Sequence, residues 1–276
     1  MVIDITPCGI IAILTDFGLN DPYVAMMKAV ALDICPYVKI VDIVHTVNSF
    51  DIEGAAFMLY ITYRYFPRGT VFVAIVDPGV GSSRRAIAIA TKNYIFIGPD
   101  NGLLTPSIRD DGIVSVYLIE NEKYFRKPTS KSFHGRDIFM PIASHIVCGL
   151  PLDNIGRKIE PQSIVDLGID VDYIEKSGKC VKLKAVYIDK FGNIVLSTYF
   201  NKLKQLLGVD MGTKILLITN NRKFVTEVAE VFSLAPKGSI VLYENSFGFA
   251  ELALNQGSAQ NILNIDRNET VQLCKD

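Results

Sequence analysis

Residues 71–76 (VFVAIV) form six consecutive apolar, mostly β-branched positions that stop at Asp77–Pro78. Such a run, bounded by a turn signal, reads as a buried strand. Proline bars Asp77 from helical geometry and removes the next ladder donor, so the strand ends there. Gly79 and Gly81 permit a tight turn, and Arg84 and Arg85 return positive charge before a second apolar run at 86–90. In open α/β sheets, ligands occupy the crevice outside the carboxyl ends of the strands. A carboxylate there, with an arginine seven residues on, is a candidate site. The competing reading is an acid that caps the loop through a surface ion pair.

The flanking sequence repeats one pattern. Residues 10–14 are a short apolar strand followed by the loop TDFG (15–18). Asp21 is placed to cap a first helix, Pro22 suits its first turn and Pro36 closes it. Val24, Met27, Ala31 and Ile34 give that helix one apolar face. Residues 38–44 form the next strand, and Asp51 caps a second helix over 52–65. Alternation of strand and helix predicts βαβ units and a mainly parallel central sheet. Another strand at 94–97 leads into GPDNGLL (98–104), and FHGRD (133–137) introduces a helix over 136–148.

Beyond residue 179 the period changes from helical to alternating. Three strand pairs are punctuated by the turns KFGN (190–193), NNRK (220–223) and NSFG (245–248). Short strands with Gly and Asn turns predict a small antiparallel barrel or sandwich. The fold class is therefore α/β, with an N-terminal α/β domain over 1–170 and a C-terminal β-barrel domain over 180–276. The mixed segment 151–179 is read as their connection.

Length permits two domains, and 49% apolar against 21% charged residues is globular composition. A net charge of −1 gives no electrostatic case for nucleic acid or an anionic membrane. The start of the chain has an acid at Asp4, no basic n-region and no membrane-spanning run. The expectation is a soluble, cytoplasmic protein. Cys8, Cys35, Cys148, Cys180 and Cys274 are odd in number, scattered and without CxxC spacing. They read as small buried hydrophobes in a reducing compartment, with no metal site among them.

His134, hemmed by Gly135 and charges, can join Asp77 and Arg84 to hold a small nucleophile: the guanidinium grips it while acid and imidazole handle its proton. The alternative is a structural histidine, which is also the reading for His45 and His145. Asp16 in TDFG stands either as an acceptor for ribose hydroxyls or as a turn-forming acid. No G-x-G-x-x-G or G-x-x-x-x-G-K-[ST] occurs, so neither standard nucleotide motif is indicated. Asp189, Phe191, Asn193, Asn245 and Ser246 belong to turns and have backbone reasons to be there. Phe191 and Phe247, at the turn tips, are aromatics able to stack on a purine.

Taken in order, TDFG with Asp21 and Tyr23, the ICP of 34–36, VDPGVG with Arg84, PDNGLL, FHGRD, D-x-FGN and NS-x-G resemble one family. This is the S-adenosylmethionine hydroxide adenosyltransferases, relatives of fluorinase and chlorinase, and the resemblance covers nearly the whole chain. It implies attack of a water-derived hydroxide on ribose C5′ of S-adenosylmethionine, giving adenosine and methionine. It implies a homotrimer with sites between subunits, and no cofactor beyond the substrate itself. On the positions that match, the hydroxide-activating set falls on Asp77, Arg84 and His134. The ribose acid falls on Asp16 and an aromatic neighbour on Phe50. Substrate contacts fall on Asp189 (methionine), Asn193 (adenine) and Ser246, and Phe191, Phe247 and Leu254 are candidate binding residues beside them.

The halogenating members carry Tyr at the position of Asp77, Ser at Gly135 and an inserted loop before the strand of 94–97. The chain therefore resembles the hydroxide-using branch, and D-K-F-G-N is one residue shorter than its halogenase counterpart. A halide-using enzyme and a non-catalytic adenosine or S-adenosylmethionine binder are the rival readings. Sulfonium departs as a neutral thioether, so the chemistry needs an aligned nucleophile and a dry site, and no metal.

Overall fold

The computed structural model describes residues 5–275 and divides into two units, Met1–Ile169 and Asp170–Asp276. Asp4 lies outside the described residues. The first unit runs β1 (Ile10–Thr15), α1 (Tyr23–Ile34), β2 (Lys39–Val44), α2 (Ile52–Thr62), β3 (Val71–Ile75), β4 (Ala86–Thr91), β5 (Ile95–Pro99), α3 (Thr105–Asp111), β6 (Ile113–Leu118), α4 (Met140–Val147) and β7 (Lys158–Ile159).

Its sheet has the order β2-β1-β3-β5-β4-β6-β7. Pairing is parallel from β2 through β1 and β3 to β5, and antiparallel at β4 and β7, so most strands share one direction. Every residue of β3 is buried, as an unbroken apolar run demands of a strand covered on both faces. Ile11, Ile13, Val71, Val73 and Ile75 pack with Met27 and Ala31 of α1 and with Phe139, Ile142 and Ile146 of the last helical segment.

The second helix begins as its sequence predicts, with the Asp51 carboxylate accepting the Gly54 N–H at 2.9 Å. The first does not: its N-cap is Pro22 and no side chain caps it, so Asp21 has no capping role. The helix predicted over 136–148 opens instead as a π-helical turn, Gly135–Phe139, and becomes α-helical only from Met140.

The second unit runs β8 (Ile174–Ser177), β9 (Cys180–Ile188), β10 (Ile194–Tyr199), α5 (Phe200–Leu207), β11 (Lys214–Thr219), β12 (Arg222–Val228), β13 (Ile240–Glu244), β14 (Phe249–Leu254), α6 (Ala259–Leu263) and β15 (Thr270–Cys274). The three predicted hairpins are β9–β10, β11–β12 and β13–β14. The order β10-β14-β13-β12-β11-β15-β9, with β9 also paired to β10, closes a seven-stranded barrel, and β8 lies outside it on β9. One ladder departs from the antiparallel expectation, because β12 and β13 run parallel. Phe200, Leu203 and Leu207 of α5 join the barrel core.

The cysteine reading is corrected. Cys35 and Cys148 form a disulfide across a sequence separation of 113, tying the end of α1 to the end of α4. Cys180 and Cys274, 94 residues apart, pair in register between β9 and β15. Spacing concealed both bonds because topology, not sequence proximity, brings the partners together. Cys35 and Cys274 are buried as expected, whereas Cys8 is exposed and remains a free thiol.

Candidate active site

Three neighbouring parallel strands, β1, β3 and β5, deliver carboxylates to one edge of the first sheet: Asp16, Asp77 and Asp100. Their surroundings give them different work. Asp100 is buried, pairs with Arg85 and accepts the Val165 N–H at 2.8 Å, so it ties 163–165 to the sheet. Next to it Asn101 donates its amide to the Val76 carbonyl at 2.8 Å, fixing the end of the strand that carries Asp77.

Asp77, Arg84 and His134 meet. Arg84 Nε donates to Asp77 Oδ1 at 3.1 Å, Nη2 to Asp77 Oδ2, and Nη2 again to His134 Nδ1 at 3.1 Å. The two side chains of the ion pair are only 8% and 6% exposed, which is not a surface salt bridge. The turn between them is held by the Val80 N–H to the Asp77 carbonyl at 3.2 Å and by Ser82 Oγ, which donates to the Gly79 carbonyl at 2.7 Å. Gly81 has φ +78°, and a Cβ there would sit 2.5 Å from the Lys131 carbonyl oxygen. The strap that leads to His134 thus lies directly on the turn that carries Arg84. Arg84 also stacks over the Phe139 ring at 5.3 Å.

His134 caps the π-helical turn, the kind of local irregularity that aims side chains at functional sites. Asp137 holds that turn in place: fully buried, it takes Arg136 Nε and Nη2 at 2.7 and 2.8 Å and the Ser130 N–H at 2.8 Å. Burial alone would raise its pKa; those hydrogen bonds and charges outweigh burial and hold it below the usual carboxylate range. Burial, and then the Arg84 charge, push the His134 pKa below its ordinary value. A cavity of about 250 Å³ opens against Arg84 and His134.

Asp16 and Phe50 are joined directly: Asp16 Oδ2 accepts the Phe50 N–H at 2.9 Å. Phe50 has φ +67° and an exposed ring, a left-handed conformation rare for an aromatic residue. The TDFG and FHGRD loops touch through Phe17 and Phe133, whose ring centroids are 5.9 Å apart, and Tyr23 packs edge-on against both. The first unit therefore gathers the five residues expected of it.

In the second unit the expected residues fall into two groups. Asp189 Oδ1 accepts the Phe191 and Asn193 N–H groups at 2.8 and 2.9 Å, and Oδ2 accepts the Asn193 amide at 2.9 Å. Phe191 is exposed at the tip, under Lys190. Because Ile194 pairs with Leu252, this turn adjoins the end of β14 where Leu254 lies. Ser246 and Phe247 sit beyond the other end of β14, where Phe249 pairs with Tyr199. Their turn is built by Asn245, whose Oδ1 accepts the Phe247 and Phe249 N–H groups at 3.0 Å. The Asn245 amide in turn donates to the buried Glu251 at 2.9 Å, and Tyr243 donates to the other oxygen. Burial, aided by the nearby Asp189 charge, raises the Glu251 pKa above the usual range. Neither Glu251 nor Asp137 is visible as a site residue in the sequence; the one available signal was a charge inside otherwise apolar or turn-bound positions.

Among the described residues no cluster of three His, Cys, Asp or Glu side chains is arranged to hold a metal ion. No helix there is long and apolar enough to cross a membrane.

Comparison with known proteins places the whole chain among relatives of one kind. A "(R)-S-adenosyl-L-methionine hydrolase" of Thermus thermophilus is 33% identical over 269 residues, covering 94% of this chain and 97% of the relative. A "Fluorinase" of Nocardia brasiliensis is 29% identical, with 96% of each chain covered. The crystal structure of an uncharacterized conserved protein from Thermotoga maritima superposes with a TM-score of 0.90 at 34% identity, covering 96% of this chain and all of that one. Residues 11–156 match the SAM hydroxide adenosyltransferase N-terminal domain and residues 183–272 match its C-terminal domain, so the chain belongs to the SAM hydroxide adenosyltransferase family.

Proposed function

We infer that this chain hydrolyses S-adenosyl-L-methionine to adenosine and L-methionine, and that Asp77, Arg84 and His134 prepare the nucleophile. The observation that carries the reading is that Arg84 holds both Asp77 and His134 at a strand's carboxyl end, its ion pair with Asp77 nearly buried. Water held there loses a proton to the Asp77 carboxylate, and its oxygen forms the bond to C5′. The C5′–S bond breaks with both electrons on sulfur, so methionine leaves as a neutral thioether and the proton passes to solvent. Arg84 fixes the carboxylate and the imidazole relative to each other, which supplies orientation, while burial supplies a dry site. Asp16 and Phe50 take the ribose side. The turns of Asp189, Phe191, Asn193 and Leu254, and of Ser246 and Phe247, take the rest of the substrate. No metal or cofactor enters, because the leaving group needs no electrophilic help; activity should survive chelation by EDTA.

Relatives named for the (R) sulfonium epimer support that epimer as the preferred substrate. Turnover of the separated epimers tests it. In ¹⁸O-labelled water the label should appear in the 5′-hydroxyl of adenosine; label in an amino-acid product would overturn attack at C5′. A halide-using enzyme would give 5′-chloro-5′-deoxyadenosine in chloride-rich buffer, and the Asp77–Arg84 pair argues against it.

The assembly we propose is a homotrimer in which one copy supplies the Asp77 side of a site and another the Asn193 side. Exposed apolar residues on α1 and the edge strand β2 (Tyr23, Met26, Leu32, Val41), with Tyr37 92% exposed between them, support a covered face. Inactive Asp77→Ala and Asn193→Ala chains should recover activity when refolded together, and an active monomer by light scattering would overturn the proposal. Neither nucleic acid nor membrane is a proposed partner. The place of action we put in the cytoplasm; with two disulfides that fits an organism that keeps them inside the cell, as hyperthermophiles do.

A further inference from the structure

Behind the Asp16–Phe50 contact lies a relay that the reaction does not use, buried at Thr15 and His45 and open to solvent at Asp42 and Lys28. Thr15 and His45 are 0% and 3% exposed. Thr15 Oγ1 is 2.8 Å from His45 Nδ1, and His45 Nε2 is 3.0 Å from Asp42 Oδ1. The other Asp42 oxygen accepts Lys28 Nζ at 2.6 Å. A paired carboxylate only accepts, so His45 Nε2 carries a proton and donates to it. Nδ1 is left to the Thr15 hydroxyl, which can both donate and accept. Thr15 Oγ1 also accepts the Phe17 N–H at 3.3 Å, so the hydroxyl ties the ring to the backbone of the loop.

The same residue grips the loop again through its backbone, since the His45 carbonyl accepts the Gly18 N–H at 2.7 Å. His45 thus holds the 15–18 loop at both ends, ring on Thr15 and carbonyl on Gly18, with Asp16 between. Asp16 then reaches across to the Phe50 N–H, five residues beyond His45. Three bonds join the two loops side by side, and the last of them fixes a left-handed aromatic residue.

We propose that His45 is a positioning residue: through Thr15 it sets where the Asp16 carboxylate points, and through Asp16 it sets the pose of Phe50. It touches no substrate. The proposal rests on the reading of Asp16 and Phe50 as substrate contacts, and predicts that His45 governs substrate binding more than turnover, because those contacts persist from ground state to transition state.

The test compares isosteres by steady-state kinetics, with thermal unfolding of each variant alongside. In His45→Asn the carboxamide oxygen stands where Nδ1 stood and keeps the Thr15 bond. In His45→Gln the side chain reaches toward Asp42 and gives up Thr15. Expected are KM values raised about tenfold in His45→Gln and in Thr15→Val, the size that losing one buried hydrogen-bond partner gives. Turnover should stay within about twofold, and His45→Asn should stay near the parent KM. Equal behaviour of the two His45 variants, or lowered thermal midpoints with unchanged KM, would overturn the proposal. If the His45 variants do not fold, Thr15→Ser against Thr15→Val decides the same question, since only serine keeps the hydroxyl. Asp16→Ala separates the two layers. A raised KM there with unchanged KM in His45→Gln and Thr15→Val removes the positioning role alone, and an unchanged KM in Asp16→Ala removes the substrate reading beneath it.

Discussion

Nη2 of Arg84 stands 3.1 Å from Nδ1 of His134, and a guanidinium can only donate. The imidazole therefore meets it with a lone pair and carries its proton on Nε2. Protonation would turn Nδ1 into a donor facing a cation, and the contact would open.

That fixes a pH dependence. Burial and then Arg84 lower the His134 pKa below 6.5. kcat/KM should be flat above that value and fall on an acid limb whose midpoint lies below it. The same group contributes to stability in the same sense. Between the lowered folded pKa and the ordinary value the unfolded chain binds the proton more readily. The contribution is complete above pH 6.5 and is lost as pH falls through the folded pKa. A pH profile of kcat/KM, with the limb absent in His134→Asn, checks the assignment; a limb above 6.5 would contradict it.

Asp77→Ala and His134→Ala should lower turnover on the order of 10²–10⁴-fold, as general acid–base groups do, with little change in substrate affinity. Single-turnover rates and equilibrium titration separate the two quantities. Near-normal turnover in both would return the pair to a structural role.

Phe50→Gly should divide stability from binding. The left-handed φ of +67° is strained for phenylalanine and free for glycine, and the exposed ring gives up little burial. The variant should gain up to about 1 kcal/mol in denaturant unfolding while its KM rises. A stability loss would mean that the ring is held by contacts more valuable than the strain.

With two disulfides formed, the unfolded but unreduced protein should titrate a single thiol, Cys8, and the reduced protein all five. Reduction should cost about 2–4 kcal/mol of stability per bond. Five thiols without reductant would restore the reading of the cysteines as packing residues.

The sequence was most legible where one local cause decides the outcome. An unbroken apolar run ended by Asp77–Pro78 became a fully buried strand, Asp51 became a cap, and Gly- and Asn-rich turns became hairpins. It was least legible where the cause is distant. Cys35 and Cys148 are partners only because two helix ends converge. β12 and β13 run parallel only because residues 229–239 carry the chain back across the barrel end. The meeting of Asp77 and Arg84 was suggested by a short turn, but that of Arg84 and His134, fifty residues apart, depends on a π-helical turn that Asp137 holds in place. Asp189 shows a third limit. Its residue type suits both a turn and a ligand, and in the structure both carboxylate oxygens serve the turn.

The barrel carries one more consequence. β9 enters it and β15 leaves it, and Cys180 and Cys274 stand across from each other with Cα atoms 4.1 Å apart. The beginning and end of the barrel are therefore one place in space, joined covalently, and the strands form a loop with no privileged starting point. A nick between Asn220 and Asn221, at the tip of β11–β12, would leave the two fragments joined through Cys180–Cys274, with the turns of Asp189 and Ser246 intact.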